Sequence, residues 1–90
     1  MTERRTRIDI FADILEVLKR YGEGCGITRL SYGAGMPNDR TKTYLKKLIK
    51  AGFVKPKIDD PKKYVITQQG IEFLAAYHKL KSFLALLKEV

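Results

Sequence analysis

Between Ile8 and Leu18 apolar side chains return every three or four residues. Ile8, Phe11, Ile14, Leu15 and Leu18 share one face of a helix, and Ile10, Val17 and Tyr21 widen it. The pattern predicts a helix from Arg7 to Tyr21. Thr6 stands at its start as an N-cap, and Asp9, three residues on, completes a capping box. Asp9, Asp13, Glu16 and Arg20 are left for the water side. The run GEGCG then ends the helix with three glycines in five residues.

ITRLSYGAG predicts a short second helix, capped by Thr28 and closed by a left-handed Gly35, with Leu30 and Ala34 turned inward. Gly33 inside it weakens the helix or admits a close neighbour. MPN is a turn. A third helix follows from Asn38 to Ala51, capped by Asn38 or the residue before it and stopped by Gly52. At 100° per residue, Leu45, Leu48 and Ile49 centre its buried face with Thr41 beside them. Tyr44 lies on the flank. Arg40, Thr43, Lys47 and Lys50 point the opposite way, with Asp39 and Lys46 at the edge.

The period then changes. FVKPKI and KYVIT are short β-rich runs joined by the turn sequence DDPK, a hairpin over residues 53–67. Pro56 has no N–H for a ladder, so its strand is an edge or is bulged. Thr67 caps a last helix over residues 68–90, roughly 33 Å long at 1.5 Å per residue. Along it Phe73, Tyr77, Leu80, Leu84 and Leu87 step by four and three, an a/d seam, while Ile71, Leu74, Ala75 and Leu86 add apolar positions elsewhere. That is more apolar surface than one small domain covers, so a second copy is expected against it. The element order is helix, helix, turn, helix, hairpin, long helix. It predicts a mainly α fold with a small β-hairpin: a winged helix-turn-helix over residues 1–67, then a dimerisation helix over 68–90.

Charge changes the picture. Of 90 residues, 18 are Lys or Arg and 10 are Asp or Glu, a net +8. Residues 38–63 hold nine of the cations and three of the acids, so +6 of the +8 lies in 26 residues. Arg4, Arg5 and Arg7 form a second cluster. A focused basic patch suggests nucleic acid as partner. On this fold the outward face of the third helix lies in the DNA major groove, where Lys46, Lys47 and Lys50 neutralise phosphates and Arg40 or Thr43 reaches base edges. The wing adds Lys55, Lys57 and Lys62. Lys63 stands with Lys62 beside Asp59 and Asp60, so the wing tip is nearly neutral. Arg29, at the start of the second helix, completes the expected contacts. A lysine face that merely solvates the helix, or an acidic protein partner on an interaction module, are the competing readings.

Other chemistry is sparse. No run approaches the roughly 20 apolar residues of a membrane span, and the first residues lack a secretory signal pattern, so a cytoplasmic, nucleoid-associated protein is expected. Cys25, in the glycine-rich loop, has no second cysteine for a disulfide and no metal-ligating neighbour. His78 is the one histidine, read as solvated or interfacial. GEGCG lacks the Lys and Ser/Thr of a phosphate-binding loop. No catalytic constellation, cofactor site or small-molecule site is expected.

The stretch TRLSYGAGMPNDRTKTYLKKLIKAGFV, followed by KKYVITQQGIEFL, resembles small archaeal winged-helix DNA-binding proteins of the chromatin and regulator type. The telling pieces are Thr28-Arg29 with Tyr32, Tyr44-Leu45 with Leu48, Gly52-Phe53-Val54, and Tyr64 with Thr67 and Gly70. The resemblance implies duplex DNA as partner and dimerisation through an antiparallel coiled coil of the last helix. Two departures stand out: that family usually has Ser near Pro37 and an apolar residue at Thr41.

Overall fold

The computed structural model describes residues 5–88. Arg4 and the last two residues of the expected C-terminal helix lie outside that range. Helix α1 spans Arg7–Arg20. Its capping box forms as expected: the Asp9 N–H donates to Thr6 Oγ1 at 3.1 Å and the Thr6 N–H to the Asp9 carboxylate at 3.0 Å. Ile10, Ala12, Ile14, Leu15, Val17 and Leu18 are buried. Ile8 lies on the same face yet is 56% exposed.

A two-residue strand β1, Cys25–Gly26, follows the glycine run and leads directly into α2, Ile27–Ala34. This corrects two expectations. Gly26, not Thr28, is the N-cap of α2, since the strand delivers the chain to the helix before Thr28 is reached. Cys25 is no loop residue: it is 1% exposed in the core, and burial pushes its thiol pKa up. Gly35 ends α2 at φ 68°, as the sequence requires. Gly33 serves close approach, since a Cβ there would come within 2.8 Å of Val17 Cγ2 on α1.

Helix α3 spans Asn38–Lys50, with Pro37 as N-cap. Thr41 is fully buried, and its hydroxyl is satisfied there by donating to the Pro37 carbonyl at 3.0 Å. Leu45 and Leu48 complete the buried stripe, and Tyr44 packs edge-on against Phe11 at 5.2 Å. Gly52 turns the chain into the sheet.

Strands β2, Val54–Lys57, and β3, Asp60–Ile66, form the hairpin, and β1 adds to its other side in the antiparallel order β1-β3-β2. Pro56 is both on an edge strand and beside a register shift at Lys57. Lys55 faces Val65 and Pro56 faces Tyr64, so the pleat sends Lys62 and Tyr64 to one face and Lys55 and Lys63 to the other.

Helix α4 spans Gln68–Lys88. Thr67 caps it, accepting the Gly70 N–H at 3.2 Å while donating to the Gly52 carbonyl at 2.7 Å, which fastens α4 to the exit of α3. Gly70 touches Phe53 so closely that a Cβ would sit 2.4 Å from its carbonyl oxygen. Leu74 is buried and Phe73 meets Phe53 at 5.3 Å between ring centres. From His78 to Lys88 every residue of α4 is exposed, and the helix carries the molecule to a length of 50 Å.

The acids of α1 do not simply face water. Asp9 accepts from the Tyr77 hydroxyl and pairs with Lys81 at 3.4 Å, and Glu16 meets the His78 ring. Asp13 pairs with Arg5 at 2.8 Å, and Arg5 also donates to the Ala34 carbonyl. A helical wheel places these positions outward because it holds no knowledge that α4 crosses there. The Tyr77 hydroxyl and the capping N–H of Thr6 hold the Asp9 carboxyl well below the usual carboxylate range, against the opposing effect of burial. Burial, then the bond to Asp9, pushes Tyr77 up to about 12. A carboxylate with a depressed folded pKa stabilises above its ordinary pKa of about 4 and loses that contribution as the pH falls. A tyrosine with a raised pKa stabilises below about 10 and loses that contribution as the pH climbs toward 12. The clasp is therefore strongest between these limits. Asp9→Asn should lower stability by about 1 kcal/mol near neutral pH. In thermal melts its difference from wild type should begin to narrow below about pH 4 and keep narrowing as the pH falls toward the depressed folded pKa.

Candidate nucleic-acid interface

Two buried leucines and Thr41 fix the roll of α3, so its opposite face is held outward by the core itself. Arg40, Thr43, Lys46, Lys47 and Lys50 are all exposed there. Thr43 is partly engaged, its hydroxyl donating to the Asp39 carbonyl at 3.1 Å, which leaves its oxygen as an acceptor. Lys47 leans toward the flank, 5.9 Å from the Tyr44 ring centre. The one acid of the helix, Asp39, sits in the first turn, where the helix dipole favours it.

The wing divides the remaining cations. On the α3 side, Lys62 meets Lys42 and Lys46 across a cleft of about 360 Å³ with an apolar floor of Ile27, Leu45 and Ile49. Lys42 joins the site only because β3 lies beside it, which no helical wheel reveals. On the other side, Lys57 and Lys63 meet Arg20 and Arg29 around a cleft of about 460 Å³. The Arg29 guanidinium lies 5.0 Å over the Tyr21 ring. Thus Arg40, Thr43, Lys46, Lys47, Lys50 and Lys62 belong to one surface. Arg29, Lys55 and Lys57 do not join it. Lys55 shares the pleat face of Lys63, and Lys57 is partly tied to Asp59 at 3.9 Å. Tyr32 is exposed rather than packed.

A third surface runs along α1 and α4. Ile8 and Phe73 line two adjoining apolar hollows of about 380 and 190 Å³, the second reaching Leu80. Beyond it Leu80, Leu84 and Leu87 are 52%, 43% and 66% exposed. Phe73 and Tyr77, the first two residues of the expected seam, are half-buried against their own chain. Among the described residues no helix is long and apolar enough to cross a membrane, and no group of three potential metal ligands occurs.

A helical pair whose second member presents a cationic face, followed by a β-hairpin wing, is the architecture of a winged helix-turn-helix protein. The family model described as "Winged helix-turn-helix" matches residues 4–85, and the chain belongs to that family. The chain is similar to Sso10a-2, a DNA-binding protein from Sulfolobus solfataricus: 33% identity over 96% of this chain and 90% of that one, with a TM-score of 0.72. A MarR family transcriptional regulator from Silicibacter pomeroyi is 26% identical over 87% of this chain and 54% of that one, with a TM-score of 0.70. A mutant of MepR from S. aureus, at 12% identity over 91% of this chain and 65% of that one, shares the fold, with a TM-score of 0.70. No curated protein matches the chain.

Proposed function

We propose that the chain is a homodimeric protein that binds duplex DNA through α3 and the wing, as a transcription regulator or a chromatin-associated protein, and that it has no catalytic role. The observation that carries this reading is the exposed face of α3. Arg40, Lys46, Lys47 and Lys50 stand together on a helix whose other face is locked into the core. A cationic helix face fixed in this way fits the width of a major groove. The likeness to Sso10a-2, a DNA-binding protein, supports the same reading.

The proposed second copy covers the apolar side of α4. The free seam begins at Leu80 and continues through Leu84 and Leu87, because Phe73 and Tyr77 are already engaged within the chain. Exposed leucines spaced by four and three along a helix that leaves its own domain are what a two-stranded coiled coil buries.

A salt titration of binding to duplex DNA tests the proposal. If each protomer neutralises about five phosphates, a dimer neutralises about ten, and log K should fall against log salt with a slope near −9. A flat curve would contradict electrostatic DNA binding. Capture of an acidic protein, with duplex DNA left unbound, would favour an interaction module instead. Genome-wide occupancy separates the two roles: sharp isolated peaks mark a regulator and broad coverage a chromatin protein.

A further inference from the structure

The cleft on the far side of the wing gathers four cations from four elements. Arg20 comes from the last turn of α1, Arg29 from α2, Lys57 from β2 and Lys63 from β3. Glu23 is the one acid on its lining, so the cleft carries four positive charges against one negative. A run of basic residues in sequence does not explain this, since Arg20 and Lys63 come from opposite halves of the chain. The last turn of α1 accounts for Arg20 alone through the helix dipole. Among the described residues, Arg20, Arg29 and Lys63 have no ion-pair partner. Four cations brought together by folding repel one another unless an anion lies between them.

The backbone is shaped to hold them there. Gly24 sits at φ 126°, and a Cβ on it would meet Lys57 Cδ at 3.1 Å and Lys63 Cβ at 3.3 Å. The bare glycine lets both lysine stems lie against the loop. The Tyr21 ring, under the Arg29 guanidinium, limits where that planar fork can point. The ensemble is two guanidinium groups, that of Arg29 oriented by its ring, and two flexible ammonium groups around a cleft of about 460 Å³. Planar forks and point cations of this kind match oxygens spread over adjacent phosphates.

We infer that this cleft is a second phosphate-binding site, separate from the α3 face, that takes two or more adjacent phosphate groups. Those groups come from the backbone of a nucleic-acid strand or from a small free oligophosphate. The inference goes beyond the α3 reading and does not depend on it, since Lys62 and the α3 lysines lie on the other face of the sheet.

Inorganic tripolyphosphate is the probe, added to the full chain and followed by amide NMR shifts. Shifts should concentrate at Gly22, Gly24, Arg29 and Lys63, and Lys47→Ala should leave them unchanged. Arg29→Ala with Lys63→Ala should weaken tripolyphosphate binding roughly tenfold or more, as expected when two charge-assisted hydrogen bonds are removed. Lys63→Glu alone, at an exposed strand position, gives the same reading if the double variant does not fold. A parallel titration with duplex DNA distinguishes the sources. If the variants also weaken DNA binding while shifts on α3 persist, the site holds a nucleic-acid backbone. If DNA affinity is unchanged while tripolyphosphate binding is abolished, the ligand is a free oligophosphate. Tripolyphosphate shifts spread evenly over the basic surface, or indifferent to these substitutions, would overturn the site while leaving the α3 reading untouched.

Discussion

Leu84→Asp should turn the protein into a folded monomer and lower its apparent affinity for long duplex DNA by roughly a hundredfold. The expectation follows from what surrounds this residue. Leu84 lies midway along the exposed part of α4, past the contacts of Tyr77, His78 and Lys81 that tie the helix to α1. An isolated helix of about three turns is marginal in water. The segment beyond Lys81 is therefore expected to depend on a partner helix for its order. An aspartate placed in that seam leaves an unpaired charge between apolar surfaces, at a cost of several kcal/mol, which is comparable to the whole interaction energy of a short coiled coil. The domain core contains no part of Leu84, so its folding should survive. DNA affinity falls because two recognition helices on one dimer bind with the second contact intramolecular, and a monomer forfeits that advantage. Sedimentation at micromolar concentration reads the first half of the prediction. Wild type should run at twice the 10.3 kDa chain mass and the variant at the chain mass. A wild-type species of 10.3 kDa would rule out the dimer.

Lys47→Glu should weaken duplex binding by roughly one to two orders of magnitude and make it less sensitive to salt. Removing one phosphate contact from each protomer takes two from the dimer, and each is expected to contribute about 0.9 to the slope of log K against log salt. The slope should therefore become shallower by about 1.8. The weakening should be similar for unrelated DNA sequences, because a phosphate contact carries no base information. Arg40 offers the contrast. It stands exposed in the first turn of α3, and its guanidinium can make a paired contact to a guanine edge. Arg40→Ala should then cost affinity at some sequences more than others. Neither side chain supports the core, so thermal melts of both variants should match wild type closely. A Lys47→Glu variant that bound DNA as tightly as wild type at every salt concentration would show that the lysine face of α3 is ordinary solvated surface.

Much of this molecule was legible where the physics is local. The Thr6–Asp9 box, the left-handed glycine after α2, the edge strand forced by Pro56 and the Thr67 cap each depend on a few neighbouring residues, and each forms as the sequence requires. Readings failed where distant segments decide. Strand β1 has two residues, too few to show an alternation, and exists only because β3 offers it an edge. The same pairing buried Cys25 and moved the N-cap of α2 from Thr28 to Gly26. Asp9 and Glu16 looked like solvent positions until Tyr77 and His78 crossed them from a distant part of the chain. The outward face of α3 was readable because a helical wheel needs only the helix. The division of the wing lysines was not, because it turns on strand register and on a bulge at Lys57.

DNA binding through α3 would bring its exposed cationic face against the duplex. Amide NMR shifts of the full chain on addition of a short duplex test it most directly. The largest changes are expected at Arg40, Thr43, Lys46, Lys47 and Lys50, with Lys62 on the wing moving with them and the exposed half of α4 staying still. Shifts that bypass α3 and gather elsewhere on the molecule would contradict it.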